Sequence, residues 1–161
     1  MVLGVLIVKF IAQITVVNGS SMENTLYNGD RLIIEKISPR TGNIDRGDIV
    51  TIDDPTKLSM DTRPIIKRVI GIEGDHVQIL DGKVYVNGEE LIEDYISGDE
   101  TLDVNLEYSD VTVEEGYIYV LGDNRNRGMS KDSRSIGPES LEYVTGKALL
   151  RFYPFNKFRF F

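Results

Sequence analysis

The stretch Pro64-Ile-Ile-Lys-Arg-Val-Ile-Gly-Ile72 is apolar and rich in β-branched residues, apart from two adjacent cations, Lys67 and Arg68. Such a composition predicts a strand of a sheet. A lysine in the middle of this strand is unusual, because burial disfavours a charged ammonium group. The stretch therefore predicts a β protein that holds a cation in its core.

The segments on both sides of this stretch also have the pattern of strands separated by turns. Asn28-Gly29 and Asp81-Gly82 are good turn dipeptides, and the second predicts a two-residue hairpin. No internal repeat and no long amphipathic helix is present in the sequence. We therefore expect a mostly β fold with an antiparallel core, whose other strands lie near residues 31–37, 49–52, 77–80, 84–86, 117–121 and 145–152.

Length and composition indicate one main domain with a small insert. The chain has 161 residues, 41% of them hydrophobic, which is enough for one core but not for two full domains. Residues 89–115 carry many carboxylates and few apolar side chains, which favours a solvated insert or a mobile loop. We assign residues 13–75 and 116–161 to a catalytic β-core and residues 76–115 to a β-rich insert without a catalytic role.

The apolar N-terminal run has two interpretations. Residues 2–17, as a helix, would extend about 24 Å, whereas the hydrocarbon layer of a bilayer is about 30 Å thick. The run also lacks the basic start and small-residue cleavage site of a secretory signal peptide. It is either the remnant of a longer membrane anchor or a strand and helix of the core. We favour an anchor remnant in residues 1–12, with the chain turning into a strand before residue 17.

Charge and residue usage exclude several functions. A formal net charge of -8 argues against nucleic acid as a partner, because binding phosphates requires a basic face. The absence of cysteine excludes disulfides, thiolate nucleophiles and zinc–thiolate sites. The single histidine, His76, cannot form a histidine pair for a metal and lies within a predicted strand. We expect no metal and no cofactor.

A second notable stretch is Val17-Asn-Gly-Ser-Ser-Met-Glu-Asn-Thr-Leu26, which connects the apolar run to the body of the chain. Small, flexible residues surround Ser21, so another backbone could approach it closely. A serine in this position is either a nucleophile or simply part of a turn or a helix N-cap. The stretch alone leaves both interpretations open.

A lysine is the remaining candidate for activating such a serine. Only about one lysine in a thousand is neutral near pH 7.5 at the ordinary pKa of about 10.4, so a base of this type needs a lowered pKa. Burial in an apolar strand lowers the pKa of Lys67, and lowering it to about 8 corresponds to about 3 kcal/mol. A surface salt bridge is the alternative role for this lysine.

Four segments together resemble the type I signal peptidases, the membrane-bound Ser-Lys proteases that remove signal peptides from exported proteins. They occur in the family's order: Gly19-Ser-Ser-Met22, Arg46-Gly-Asp-Ile-Val50, the run from Lys67 to Asp75, and Gly122-Asp-Asn-Arg125 followed by Asp132-Ser-Arg134. The C-terminal Arg151-Phe-Tyr-Pro-Phe155 is similar to the end of the Gram-positive members. The resemblance covers most of the chain and implies a signal-peptidase-type β-core.

The resemblance also implies a role for each matched residue. Ser21 would be the nucleophile, and its backbone N–H would be part of the oxyanion hole. Lys67 would be the general base, and Ser130 would hydrogen-bond its amine. Two charged pairs would brace the site, Asp123 with Arg68 and Asp132 with Arg134.

The substrate would lie extended between residues 15–17 and 65–67, with small side chains at positions -1 and -3 in shallow pockets. The residues we expect to contact it are Thr15, Val17, Met22, Leu26 and Ile66. The implied partners are signal-peptide-bearing secreted proteins or pilins and membrane lipid. The implied location is the cell membrane, with a single-pass anchor and an extracytoplasmic catalytic domain. The alternative is a relative that binds secreted or pilin substrates without cutting them.

The sequence departs from the family pattern at three places. Asn24 replaces the usual proline after the nucleophile, which loosens the backbone. Gly19 stands where some members have a serine of the oxyanion hole. Six residues, 126–131, separate the last two motif segments, where the family usually has four. Because this loop carries Ser130, its enlargement bears directly on the position of that hydroxyl.

The C-terminal run from residue 152 to residue 161 concentrates six aromatic side chains with Lys157 and Arg159 between them. Aromatic and basic residues together are typical of a segment at the membrane interface. Packing of a chain end onto the core is the other interpretation.

Overall fold

Antiparallel β-sheets form most of this computed structural model, which describes residues 11–60 and 64–161. Two short helices and three single turns of 3-10 helix connect the strands of the described chain. The strands are β1 (Ala12–Val16), β2 (Arg31–Glu35), β3 (Ile49–Ile52), β4 (Ile65–Gly71), β5 (His76–Leu80), β6 (Lys83–Val86), β7 (Glu89–Glu90), β8 (Asp110–Thr112), β9 (Tyr117–Leu121), β10 (Glu139–Ser140), β11 (Val144–Tyr153) and β12 (Arg159–Phe160); the helices are α1 (Ser38–Thr41) and α2 (Ser133–Ile136); and the 3-10 turns are Leu106–Tyr108, Leu141–Tyr143 and Phe155–Lys157.

The larger sheet has the strand order β1-β2-β11-β3-β4-β9-β10, and β12 pairs with β11 beside this path. The smaller sheet has the order β7-β6-β5-β8. Every pairing between named strands is antiparallel, so the predicted mostly β, antiparallel class is confirmed. The long strand β11 comes late in the chain but lies between β2 and β3.

One apolar cluster lies directly beneath the turn that follows β1. Leu32 and Ile34 of β2 point into it, and Ile49 of β3 and Ala148 of β11 join them from the neighbouring strands. Met22, from the turn itself, is buried in the same cluster. The turn is therefore fixed to the sheet by burial of its own side chains.

The smaller sheet packs against the larger one through a shared cluster. Val77 and Val84 of the smaller sheet meet Ile70, Tyr119 and other apolar side chains of β4 and β9. At Gly71, a Cβ atom would lie 2.6 Å from Val77 Cγ2, so only glycine permits this close approach of the two sheets.

The predicted anchor in residues 1–12 falls almost wholly outside the described residues. Among the residues that are described, no helix is long and apolar enough to cross a membrane. The strand predicted to follow the anchor is β1.

Candidate active site

Ser21 lies in a tight turn that begins where β1 ends. Val17 exchanges backbone hydrogen bonds with the next part of the chain, donating to Asp30 O at 2.8 Å and accepting from Gly29 N at 2.9 Å. Gly19 adopts a φ of 97°, a left-handed value that favours glycine, and its N–H donates to Asn28 Oδ1 at 3.0 Å. These bonds hold the serine at the mouth of a cleft.

Lys67 reaches the same cleft from β4, a strand paired on both sides by β3 and β9. The side chain is almost fully buried, with 2% of the residue exposed. Its Nζ lies 2.8 Å from Ser21 Oγ and also donates to the carbonyl of Ile66 at 2.8 Å. The lysine and the serine are therefore within hydrogen-bonding distance of each other.

The surroundings of Lys67 favour its neutral form. Burial lowers the pKa of Lys67 to about 8, although the nearby carboxylates of Asp132 and Asp123 act to raise it. The charge of Arg134 lowers the pKa further. Near pH 8, about half of the molecules thus carry a neutral amine, which can accept a proton.

Two buried ion pairs flank the lysine. Arg68 donates from Nε and Nη2 to the carboxylate of Asp123 at 2.9 and 2.7 Å. Arg134 donates to both oxygens of Asp132 at 2.9 Å. Burial raises the pKa of Asp132, but Arg134 and the backbone N–H of Gly122 outweigh this effect and hold that pKa below its usual value. Bidentate pairing of this kind satisfies charges that are removed from water.

The enlarged loop 126–131 lies beside the cleft, but Ser130 makes no bond to Lys67. The Ser130 hydroxyl is buried, and within the described chain it forms no hydrogen bond of normal geometry, although its proximity helps to lower the pKa of Asp132. It lies against Gly122, where an added Cβ would be 2.3 Å from Ser130 Oγ and 2.5 Å from Ser21 O. The loop thus brings Ser130 next to the backbone of the serine turn.

A cavity of about 510 Å³ extends along the cleft from the serine and lysine. Four of the five predicted substrate-contacting residues line it: Thr15, Val17, Met22 and Ile66. Leu26, the fifth, does not line this cavity and is fully buried in the core cluster beneath the turn. Met129 and Lys131 of the enlarged loop line the cavity as well, which their sequence pattern did not indicate.

The other ionisable groups considered from the sequence lie elsewhere. His76 Nε2 lies 2.6 Å from Asp110 Oδ1 in the smaller sheet. In the described residues there is no cluster of three or more histidine, aspartate or glutamate side chains that could hold a metal ion.

Comparison with known proteins identifies the family. The family model for signal peptidase, peptidase S26, matches residues 1–153. The chain belongs to this family. It is 42% identical over 155 residues to the probable signal peptidase I-2 of Synechocystis sp., covering 95% of this chain and 68% of that protein. It is 39% identical over 165 residues to signal peptidase I of Bacillus licheniformis, covering 98% of this chain and 86% of the relative.

A solved structure agrees with the sequence relatives. The signal peptidase I of Enterococcus faecalis V583 matches with a TM-score of 0.52 and 36% identity, over 65% of this chain and 95% of that one. The protein is thus a peptidase that cleaves signal peptides from exported proteins, as the resemblance predicted. The alternative, a relative that binds substrates without cutting them, is not favoured.

Several polar residues around the site of this signal peptidase were missed by sequence reasoning. Tyr95 stacks on Arg68, with the guanidinium carbon 4.0 Å from the ring centroid, and Glu93 pairs with the buried Arg125. Both come from the acidic segment that composition indicated to be solvated. Asn124 donates to Ser20 O at 3.1 Å from its side chain. Composition averages over a segment, so it could not single out the few residues that pack inward.

Proposed function

We propose that this signal peptidase is a serine endopeptidase in which Ser21 is the nucleophile and Lys67 is the general base. The observation that carries the proposal is the 2.8 Å separation of Lys67 Nζ and Ser21 Oγ, at a buried position where the lysine pKa falls to about 8. A general base must lie within hydrogen-bonding reach of the proton that it removes, and its pKa is most useful near the working pH. Lys67 meets both conditions.

In the proposed reaction, the neutral amine of Lys67 accepts the hydroxyl proton while Ser21 Oγ attacks the carbonyl carbon of the scissile bond. The electron pair of the carbonyl moves onto its oxygen, and the backbone N–H of Ser21 donates a hydrogen bond to that oxyanion. The protonated lysine then gives its proton to the leaving amine as the C–N bond breaks. Water attacks the resulting ester with Lys67 again acting as base, which releases the signal peptide and restores the serine.

We assign supporting roles to the groups behind these two residues. The pairs Arg68–Asp123 and Asp132–Arg134 fix the loop and helix that surround the lysine. We assign Ser130 the role of holding the lysine amine during the reaction. Among the described residues its buried hydroxyl forms no hydrogen bond of normal geometry, which supports this role, because a buried hydroxyl normally has a hydrogen-bond partner.

We propose that the substrate binds as an added strand along β1. β1 pairs only with β2 in the described chain, so its other edge is free to pair with an extended peptide. The face of β1 that carries Thr15 borders the cleft, and Val17 and Ile66 make the cavity beside the serine partly apolar. Small side chains at substrate positions -1 and -3 suit such shallow, partly apolar pockets.

We further propose that the protein acts at the extracytoplasmic surface of the cell membrane and contacts lipid with an outer aromatic face. This face consists of apolar side chains that are 42–79% exposed, with three cations stacked on or near aromatic rings. Aromatic and basic side chains together favour the interface between headgroups and acyl chains. The outer aromatic face comprises Ile14, Val16, Tyr153, Phe155, Phe158 and Phe160, with Arg31, Lys157 and Arg159.

The experiment that tests the nucleophile is cleavage of a synthetic signal-peptide substrate by the purified protein and its variants. Ser21→Ala is expected to lower kcat at least 1,000-fold, roughly the effect of removing a nucleophile in other serine proteases. Ser20→Ala is the matched control, because Ser20 is the adjacent serine of the same turn, and its kcat is expected to stay within about threefold of the parent. Comparable activity of Ser21→Ala and the parent protein would overturn the proposal.

A further inference from the structure

A short segment of the chain, residues 93–97, leaves the smaller sheet and lies against the loop that follows β9. Ser97 N donates to Asp123 O at 2.8 Å, and Arg125 N donates to Ser97 O at 2.8 Å. The two bonds form a parallel bridge between Ser97 and Asn124. The segment is thereby held in register on the loop that carries Asp123, which is itself fully buried.

A buried ion pair fixes the start of this segment. The Arg125 side chain is fully buried, and the Glu93 side chain is 6% exposed. Arg125 donates to both carboxylate oxygens of Glu93, one of them at 2.8 Å, and its Nε donates to Gly122 O at 2.9 Å. A bidentate pair removed from water has one well-defined geometry, so it determines where the next residues of the segment lie.

Tyr95 covers the face of the Arg68 guanidinium group. The edges of that group are occupied by Asp123 and by Gly47 O, to which Nη1 donates at 2.9 Å. The ring of Tyr95 closes one face, at 4.0 Å from the guanidinium carbon. The Tyr95 hydroxyl donates to Glu93 Oε1 at 2.8 Å. Burial raises the pKa of Tyr95, so the phenol remains a donor.

The loop held by this segment also holds the serine turn. Asn124 N donates to Ser21 O at 3.0 Å, and the Asn124 side chain donates to Ser20 O. Neither Glu93 nor Tyr95 lines the cleft, so neither contacts a bound peptide there. They contact instead the two groups that border Ser21 and Lys67. Glu93 pairs with Arg125 in the loop behind Ser21, and Tyr95 stacks on Arg68, the arginine next to Lys67.

We infer that Tyr95, held by Glu93, is a positioning residue for the reaction. Tyr95 keeps Arg68 paired with Asp123, and thereby keeps water away from Lys67 and keeps the lysine amine within reach of Ser21. The inference rests on the proposed function and assigns the insert, residues 76–115, a part in it. The charged groups that face Lys67 are Asp123, Asp132 and Arg134. When Arg68 is no longer covered, Asp123 is less completely neutralised and water reaches the lysine, and both changes favour the ammonium form.

The test is the pH dependence of kcat/KM for cleavage of the signal-peptide substrate. In Tyr95→Leu, the rise of kcat/KM with pH is expected to shift upward by about one pH unit. At pH 8 kcat is expected to fall roughly fivefold, because the neutral fraction of Lys67 drops from about one half to about one tenth, with KM within twofold of the parent. At pH 10 the activity is expected to recover most of that loss. A residue with a merely structural role would lower the amount of active protein equally at both pH values.

Two matched variants accompany this one. Tyr95→Phe keeps the ring over Arg68 and loses only the hydroxyl, so its pH profile is expected to stay within about 0.3 units of the parent. Tyr85→Leu removes a half-buried tyrosine from β6 of the smaller sheet, and the same unchanged profile is expected. Tyr95→Met, which keeps most of the volume without an aromatic face, replaces Tyr95→Leu if that variant does not fold.

The outcomes separate this inference from the proposed function. An unchanged pH profile in Tyr95→Leu or Tyr95→Met, or an equal shift in Tyr85→Leu, overturns the role of Tyr95. Lys67→Ala is measured in parallel. If Lys67→Ala keeps its activity, the proposed function itself fails. If Lys67→Ala loses its activity but the pH profile of Tyr95→Leu is not shifted, only the inference is contradicted.

Discussion

At Lys67, the proposed chemistry requires a buried amine, and burying this amine lowers the stability of the folded protein. Its amine is buried beside Ser21, where the charged form is disfavoured, and a neutral amine is the form that can accept a proton. In the unfolded chain the pKa of a lysine is about 10.4. At neutral pH, folding therefore buries a charge that the unfolded chain leaves in water, and the free energy of folding includes this penalty.

Replacing Lys67 by methionine is expected to stabilise the protein in a pH-dependent way. Since the folded-state pKa of Lys67 is lowered to about 8, the gain in the free energy of unfolding is fully present below pH 8. It amounts to at most about 3 kcal/mol and disappears as the pH rises to about 10.5. Urea unfolding of the parent and of Lys67→Met between pH 7 and pH 10.5 measures it.

Lys131→Met provides the control for this measurement, because Lys131 is an exposed lysine at the rim of the same cavity. Its difference from the parent in the free energy of unfolding is expected to be small, because the side chain is exposed. A constant difference between Lys67→Met and the parent over the whole range would show that the lysine is not disfavoured in its charged form.

Strand β11 connects the centre of the larger sheet to the serine turn. It pairs with β2 and β3, and its Arg151 points back under the serine turn. Arg151 Nη1 donates to Thr25 O at 2.7 Å and to Asp30 Oδ2 at 2.9 Å, both in buried surroundings. The strand thus ties the segment that follows Ser21, at Thr25 and Asp30, to the centre of the sheet.

Arg151→Met is expected to lower the free energy of unfolding by about 3 kcal/mol or more, because Asp30 is left as a buried carboxylate without its partner. Denaturant titration checks this value. Arg159→Met, in the exposed β12, is the matched control and is expected to change stability by less than about 0.5 kcal/mol. Adding Asp30→Asn to Arg151→Met is expected to restore part of the loss; equal effects of the two arginine variants would contradict this account of β11.

Many of the strands and turns could be predicted from the sequence, because the alternation of apolar and polar residues and the turn residues are local signals. The strands around Lys67 and the hairpin at Asp81-Gly82 lie where they were predicted. The insertion of β11 between β2 and β3 and the docking of residues 93–97 depend on contacts between distant residues, which no local pattern encodes. The family resemblance predicted that Leu26 contacts the substrate, but its side chain is fully buried in the core.

For the molecule as a whole, the cleft and the outer aromatic face share one strand. In β1, Thr15 and Val16 both line the cleft, and Val16 and Ile14, which belong to the outer aromatic face, are 57% and 68% exposed. Val16 is the cross-strand neighbour of Arg31, which in turn pairs with Tyr153. A peptide bound along β1 would therefore lie next to any lipid surface that covers this face.

Vesicle binding tests the outer aromatic face. The triple variant Phe155→Ser, Phe158→Ser and Phe160→Ser is expected to bind vesicles of phosphatidylcholine and phosphatidylglycerol at least 10-fold more weakly than the parent, because three large apolar side chains are lost. Co-sedimentation measures the affinity. The control is Ile92→Ser, Val104→Ser and Leu106→Ser, three similarly exposed apolar residues elsewhere on the surface, for which no change is expected. Equal binding by the two triple variants would assign the lipid contact to another surface.

The position of β11 also determines when a newly made molecule becomes active. A ribosome releases Ser21 and Lys67 long before residues 144–153, but the sheet that aligns them cannot close until β11 enters between β2 and β3. Pairings between residues so far apart in the chain form slowly, since the intervening segment must first be ordered. We therefore expect the nascent chain to pass through synthesis without proteolytic activity.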